Sequence, residues 1–191
     1  MIRVNEELAD YVSTLINARN SIWSEETYPA KTLIIKQDSR YSKVHLIRDG
    51  IAKCYISDEN GKEFIQEFLG QGMEFGELEV FDRLTTICSV ESITALHTVT
   101  ISHSNYQKLL DADKTFNKLV IKALSDKIRF KAPRHSYQHG YPIEANLIRL
   151  KETFPEFISV IPKKDIANYI GITGRSLNRA LKELKAKSAL F

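Results

Sequence analysis

Only two cysteines occur in the 191 residues, Cys54 and Cys88, which excludes a disulfide framework and a four-thiolate zinc or iron–sulfur centre. Each stands alone in sequence and reads as a small, partly buried strand residue. Lys53 beside Cys54 is the one basic neighbour that would favour a thiol switch, and Cys88 has none close by. No apolar run approaches the ~18 residues needed to cross a bilayer. The opening Met1–Glu7 also lacks the basic-then-apolar start of a secretory signal, so the expectation is a cytoplasmic protein with no membrane partner. His45, His97, His103, His135 and His139 are scattered with no His-X-His pair, and no metal or haem site is expected from them. Biased or repetitive tracts are missing too, so disorder is not expected.

What is present suits a globular chain long enough for two modest domains. The net charge of +3 is unevenly spread. From Pro142 to Phe191 there are nine Lys/Arg against five Asp/Glu, and before Pro142 eighteen against nineteen. A basic excess confined to the C-terminal part is what a phosphate-binding module shows, although solvated helices share it.

Residues 4–20 carry Leu8, Val12, Leu15 and Ile16 at helical spacing behind Asn5, a good N-cap. From Lys31 to Ile101 the pattern turns to short β-type runs: Leu33–Ile35, Val44–Ile47, Ala52–Ile56, Phe64–Phe68, Ile87–Val90 and Thr98–Ile101. Asn60-Gly61 predicts a tight two-residue hairpin, since both residues tolerate positive φ. Strands at intervals of roughly ten residues argue for a closed or double-layered antiparallel structure, a barrel or jelly roll around a small cavity. Helical spacing returns at 105–112 and again from Lys114 to about Phe130, ending before Pro133. In that longer helix Phe116, Leu119, Val120, Ala123, Leu124 and Ile128 form one stripe. The pattern alone fits either a helix lying on its own barrel or a coiled-coil seam. Residues 131–142 read as a hinge. Beyond it come a short helix near 145–150, a short extended run at Ile158–Ile161, and two helices split by Gly171.

Lys163–Leu181 meets the steric demands of a helix-turn-helix. Ala167 is small at the crossing, Gly171 can take the left-handed turn, and Ile166, Ile172, Leu177 and Leu181 fill the wedge. Thr173 is an N-cap, with Ser176 in the first turn after it. Arg175, Asn178, Arg179 and Lys182 then recur on the face opposite Leu177, Leu181 and Leu184. Arginine can pair with guanine and asparagine with adenine, so Thr173, Arg175, Ser176, Asn178, Arg179 and Lys182 are the expected double-stranded-DNA contacts.

With both ends in view, the chain resembles the CRP/FNR family of bacterial regulators over nearly its whole length. The residues that carry the resemblance are Tyr28–Gln37, His45–Lys53 and Gly70–Leu78, similar to the family's cyclic-nucleotide-binding β-roll, and Asp165–Leu181, similar to its winged helix. The resemblance implies an α+β fold in three parts: a β-roll of double-stranded β-helix or jelly-roll type (1–113), a dimerisation helix and hinge (114–141), and a helix-turn-helix domain (142–191). It assigns the 114–130 stripe to a homodimer seam. It also implies an inverted-repeat target with half-sites about 34 Å apart, contact with RNA polymerase if the protein activates, and no enzymatic activity.

Three departures qualify these implications. Gly76 and Glu77 of the family's phosphate cassette remain, but Thr85–Ser89 holds no arginine and Arg83 comes too early. A buried phosphate would then lack its guanidinium, so cyclic AMP and other cofactors are not expected. Gly174 stands where the family often has a base-contacting side chain. The chain ends at Ser188–Phe191, where the wing hairpin would start, so the wing is expected to be missing or unusually short. Two rival readings stay open: a β-roll metal protein or cupin-like enzyme using Glu74, Glu77 and Glu79, and a dimeric protein-interaction module that no longer binds DNA.

Overall fold

The computed structural model describes residues 2–18, 20–82 and 84–187, without the side chains of residues 20, 135–139 and 187. Arg83, the side chains of His135 and His139, and the segment Ser188–Phe191 lie outside what is described. The expectations placed on them are therefore not addressed.

Two sheets face each other. The first has the order β1-β6-β5-β8-β3, formed by Ile2–Arg3, Glu63–Leu69, Ala52–Ser57, Ser89–Ser92 and Leu33–Ile35. The second has the order β2-β9-β4-β7, from Trp23–Tyr28, Leu96–Ser102, Lys43–Asp49 and Glu74–Phe75. All pairings are antiparallel except β1 with β6. Ile35, Ile47, Ala52, Leu69, Met73, Phe75, Val90 and Leu96 fill the space between the sheets. This is the expected roll, with β1, β2 and β7 added to the predicted strands and the fifth predicted strand, β8, starting at Ser89 rather than Ile87.

The turn between β5 and β6 departs from a two-residue hairpin. It spans Asp58–Lys62, and only Gly61 has positive φ, at 74°. Asp58 explains this: its carboxylate accepts from both Asn60 N and Lys62 N at 2.9 Å, which holds a wider turn.

His45 shows how the roll disposes of a scattered histidine. It is fully buried, stacked on Phe75 at 4.6 Å, and shares hydrogen bonds with Tyr41 (2.6 Å) and Thr98 (3.3 Å). Burial pushes its pKa down to about 4, so the ring is neutral at pH 7.

On the outer face of the second sheet, Val44, Leu46, Val99 and Ile101 meet three helices: α1 (Glu6–Ala18), α3 (His103–Ala112) and α4 (Lys114–Gly140). Asn5 caps α1 by accepting from Leu8 N at 3.2 Å, and Asp113 caps α4 by accepting from Thr115 N and Phe116 N at 3.0 Å. A short helix, α2 (Leu78–Asp82), follows β7. The seam stripe falls largely inside this layer. Phe116, Val120 and Ala123 are buried there and Leu119 and Leu124 pack against it, while Ile128 is 70% exposed. The face of α4 left open is carried by Ile128 and by Ile121, 61% exposed, which the stripe omits. The first half of α4 is thus a lid on its own roll.

α4 also does not stop before Pro133. It runs through to Gly140, with Pro133 inside, so the hinge shortens to Tyr141-Pro142. Proline costs one helical hydrogen bond, and flanking packing outweighs that cost here. The C-terminal part comprises α5 (Ile143–Thr153), α6 (Phe157–Val160), α7 (Lys163–Ile170) and α8 (Gly174–Lys187). Of the run expected to be extended at Ile158–Ile161, Ile158–Val160 is helical instead and only Ile161 is extended, because Phe157 buries into the core and anchors a single turn.

Candidate functional site

The helix-turn-helix is built as its residues dictate. Gly171 ends α7 in the left-handed conformation (φ 82°), and its N–H and that of Ile172 both return to Ala167 O, at 2.9 and 3.0 Å. Thr173 Oγ1 then accepts from Ser176 N at 3.1 Å and caps α8. Ile166, Ala167, Leu177, Ala180 and Leu181 are buried between the helices, with Ile172 and Leu184 packed against them.

That packing fixes which face of α8 is left outside. Arg175, Asn178, Arg179 and Lys182 are all exposed, with Thr173 exposed and Ser176 half-buried at the start of the same face. Gly174 has open space where a side chain would stand. Lys163, the first residue of α7, reaches Asn178 Oδ1 at 3.4 Å and extends the basic surface. Its place in the preceding helix hides this from a reading of α8 alone. Exposed donors at three- and four-residue spacing on a rigid helix have the reach and chemistry to enter a major groove.

The second candidate region is the cavity of the roll, lined by Glu67, Glu74, Glu77 and Glu79, by both cysteines, and by Lys127 and Lys131 of α4. Gly76 takes φ 82° beside it, and a Cβ there would sit 2.4 Å from Lys43 O, so this glycine serves the turn. Glu77 forms an ion pair with Lys127, whose ammonium also donates to Glu74 O at 2.9 Å. Glu67 is held by Lys131 at 2.9 Å and by Arg3 at 3.0 Å. Burial, then the nearby Glu77 charge, raises the Glu74 pKa to about 8, and Tyr106 donates to that carboxyl at 3.1 Å. The cavity therefore carries carboxyl groups whose cations are already engaged, and no arginine is among its described lining residues. Among the described residues no cluster of His, Cys, Asp or Glu could hold a metal ion, and Glu74, Glu77 and Glu79 do not gather into one.

A third feature has no counterpart in the motif reading. The first sheet's outer face packs on the helix-turn-helix: Tyr55, Ile65 and Phe68 share one core with Phe157, Ile166, Tyr169, Ile170 and Leu177. At its edge Lys53 Nζ, on a side chain only 6% exposed, lies 3.1 Å from Asp165 of α7, 3.3 Å from Glu63 and 3.4 Å from Glu91. Lys164 joins Glu63 at 2.8 Å. Arg134, just past Pro133, stacks over the Tyr169 ring at 4.0 Å and donates to the carbonyls of Ile65, Gln66 and Tyr169. A lysine set between Ala52 and Cys54 in an otherwise apolar strand run was the sequence signal for such a pairing, because a charge in that setting needs a partner.

Comparison with known proteins agrees with this architecture. Residues 25–113 match the cyclic nucleotide-binding domain family. Over 178 residues the chain is 25% identical to the cAMP-activated global transcriptional regulator CRP of Salmonella typhimurium, covering 85% of this chain and 83% of that protein. The corresponding regulator of Haemophilus influenzae is 22% identical over 174 residues, 85% of this chain and 78% of that protein. Among solved structures, the c-di-GMP responsive global regulator CLP of Xanthomonas campestris superposes with a TM-score of 0.79 at 15% identity, over 92% of both chains. A transcriptional regulator of the CRP/FNR family from Eubacterium rectale gives 0.73 at 14% identity, over 91% of this chain and 82% of that one. The roll of this chain thus matches the cyclic nucleotide-binding domain family, the chain is similar in sequence to CRP regulators through its C-terminal helices, and it shares the fold of CRP/FNR-type regulators over nine-tenths of its length.

Proposed function

We propose that the protein is a sequence-specific DNA-binding transcription regulator that acts as a homodimer on an inverted repeat and is not controlled by cyclic AMP. The observation that carries this reading is the α8 face. Arg175, Asn178 and Arg179 are solvent-exposed on a capped helix whose opposite side is locked into the core, the arrangement base readout requires. Similarity to transcription regulators over most of the chain supports it over an enzyme or a protein-interaction module. Contact with RNA polymerase follows if the protein activates.

The dimer seam in this reading lies on the open face of α4. Ile121 and Ile128 stand seven residues apart, the interval of a two-stranded coiled coil, while the buried stripe serves the roll. Replacing both with glutamate yields a folded monomer in analytical ultracentrifugation. A dimer that persists in that variant puts the seam elsewhere.

The cavity chemistry supports independence from cyclic AMP. A phosphate entering it would meet Glu67 and Glu77, whose lysines are already paired, and would find no guanidinium among the described lining residues to offset its desolvation. Selection from random DNA with the full-length protein enriches an inverted repeat with half-sites about 34 Å apart, and calorimetric titration with cyclic AMP gives no heat of binding. Failure to enrich any motif defeats the regulator reading, and micromolar binding of cyclic AMP defeats the reading of the cavity.

A further inference from the structure

Cys54 and Cys88, isolated in sequence, meet inside the roll. In the antiparallel ladder of β5 and β8, Cys54 lies opposite Val90 and Tyr55 opposite Ser89. Strand alternation therefore puts Cys88, the residue before β8, on the same sheet face as Cys54 at the diagonal position. Both side chains line one cavity, both are half-buried, and their thiols are near enough to shift one another's ionisation. The open space beside them is about 70 Å³, room for a molecule slightly larger than water. Lys131 reaches the same cavity from α4, supplying the basic group that Cys88 lacks in sequence.

We propose that Cys54 and Cys88 form a dithiol modification site that reduces a small hydroperoxide and closes into an intramolecular disulfide inside the roll. Cys88 attacks first. It stands next to the exposed Ile87, and the neighbouring Cys54 thiol holds its own below the ordinary range, helped by the Lys131 charge against burial. The Cys88 sulfur takes the terminal peroxide oxygen, the O–O bond breaks, and the alcohol (or water, from hydrogen peroxide) leaves with the Cys88 proton. The Cys54 sulfur then attacks the resulting sulfenic acid. The S–S bond forms, the S–O bond breaks, and hydroxide leaves as water with the Cys54 proton. Two electrons pass from the two thiols to one peroxide bond.

Diagonal residues stand about 7–8 Å apart at Cα, whereas a disulfide spans about 4.4–6.8 Å. Closure must therefore draw the start of β8 toward β5, which makes the bond readily reducible and the modification reversible. The site also sits one residue from Lys53, which holds α7 on the other face of the same strand.

The chemistry of the pair is independent of the DNA-binding reading, and so is its test. Reduced full-length protein is treated with hydrogen peroxide, and its peptides are mapped by mass spectrometry without reduction. The expected result is a Cys54–Cys88 linked peptide, loss of both free thiols, and their return with dithiothreitol. Cys54→Ser stops at a sulfenic acid on Cys88 that dimedone traps, and Cys88→Ser consumes peroxide at least about tenfold more slowly. Thiols that both stay titratable in native wild-type protein under excess peroxide overturn the proposal, as do links formed only between chains.

Discussion

Arg179→Ala weakens binding to the selected repeat by roughly 5- to 150-fold, the equivalent of about 1–3 kcal/mol for one bidentate arginine–base pair, and flattens the preference at one symmetric pair of positions. Arg175→Ala does the same at a different pair. The side chains project from one rigid face, and α8 stays capped by Thr173 and packed through Leu177 and Leu181 in either variant, so the loss is one of contact rather than of fold. Lys182→Ala is the contrasting control. A lysine that only neutralises phosphate weakens all sequences alike and lowers the salt slope by about one. Fluorescence anisotropy on the selected site and on single-base variants, at several salt concentrations, separates the two behaviours. Arginine variants that weaken every sequence uniformly would remove base readout from α8.

Lys53→Met destabilises the protein by about 3–5 kcal/mol, because it leaves Asp165 and Glu91 facing each other in a nearly dry site without their cation. Asp165→Asn costs less, since Lys53 keeps Glu63 at 3.3 Å and Glu91 at 3.4 Å. Urea unfolding gives the order directly. Trp23, the single tryptophan, reports the roll from β2, and far-ultraviolet circular dichroism follows the helices. A Lys53→Met protein as stable as wild type would show that the cluster is solvated and idle. A loss equal to that of Asp165→Asn would show that Glu63 and Glu91 contribute nothing.

The parts legible in sequence are those whose determinants are local. Gly171, Thr173 and the Ala167 crossing announce the helix-turn-helix because a tight turn admits few residues, and the face of α8 follows from helical periodicity. The roll is legible as a class, because short alternating runs separated by glycine turns have few other solutions. What stayed hidden is pairing across distance. The stripe Phe116–Ile128 is apolar on two flanks, and nothing within it says that Phe116 and Val120 belong to the roll while Ile121 and Ile128 remain outside. Pro133 looks like a terminator because its cost is local and the packing that offsets it is not. Cys54 and Cys88 come together only through a strand register, and Lys53 and Asp165 only through the docking of one domain on another.

That docking has a consequence for how the protein could let its reading head go. α7 finishes its core on the roll, with Ile166, Tyr169 and Ile170 sharing one apolar cluster with Tyr55, Ile65 and Phe68. A head released into water would leave both halves of that cluster bare, and bare apolar patches of this kind drive aggregation. Any large swing must therefore pass the cluster from one cover to another, so in the proposed regulator the surface that receives it would be as much a part of a switch as the surface it leaves.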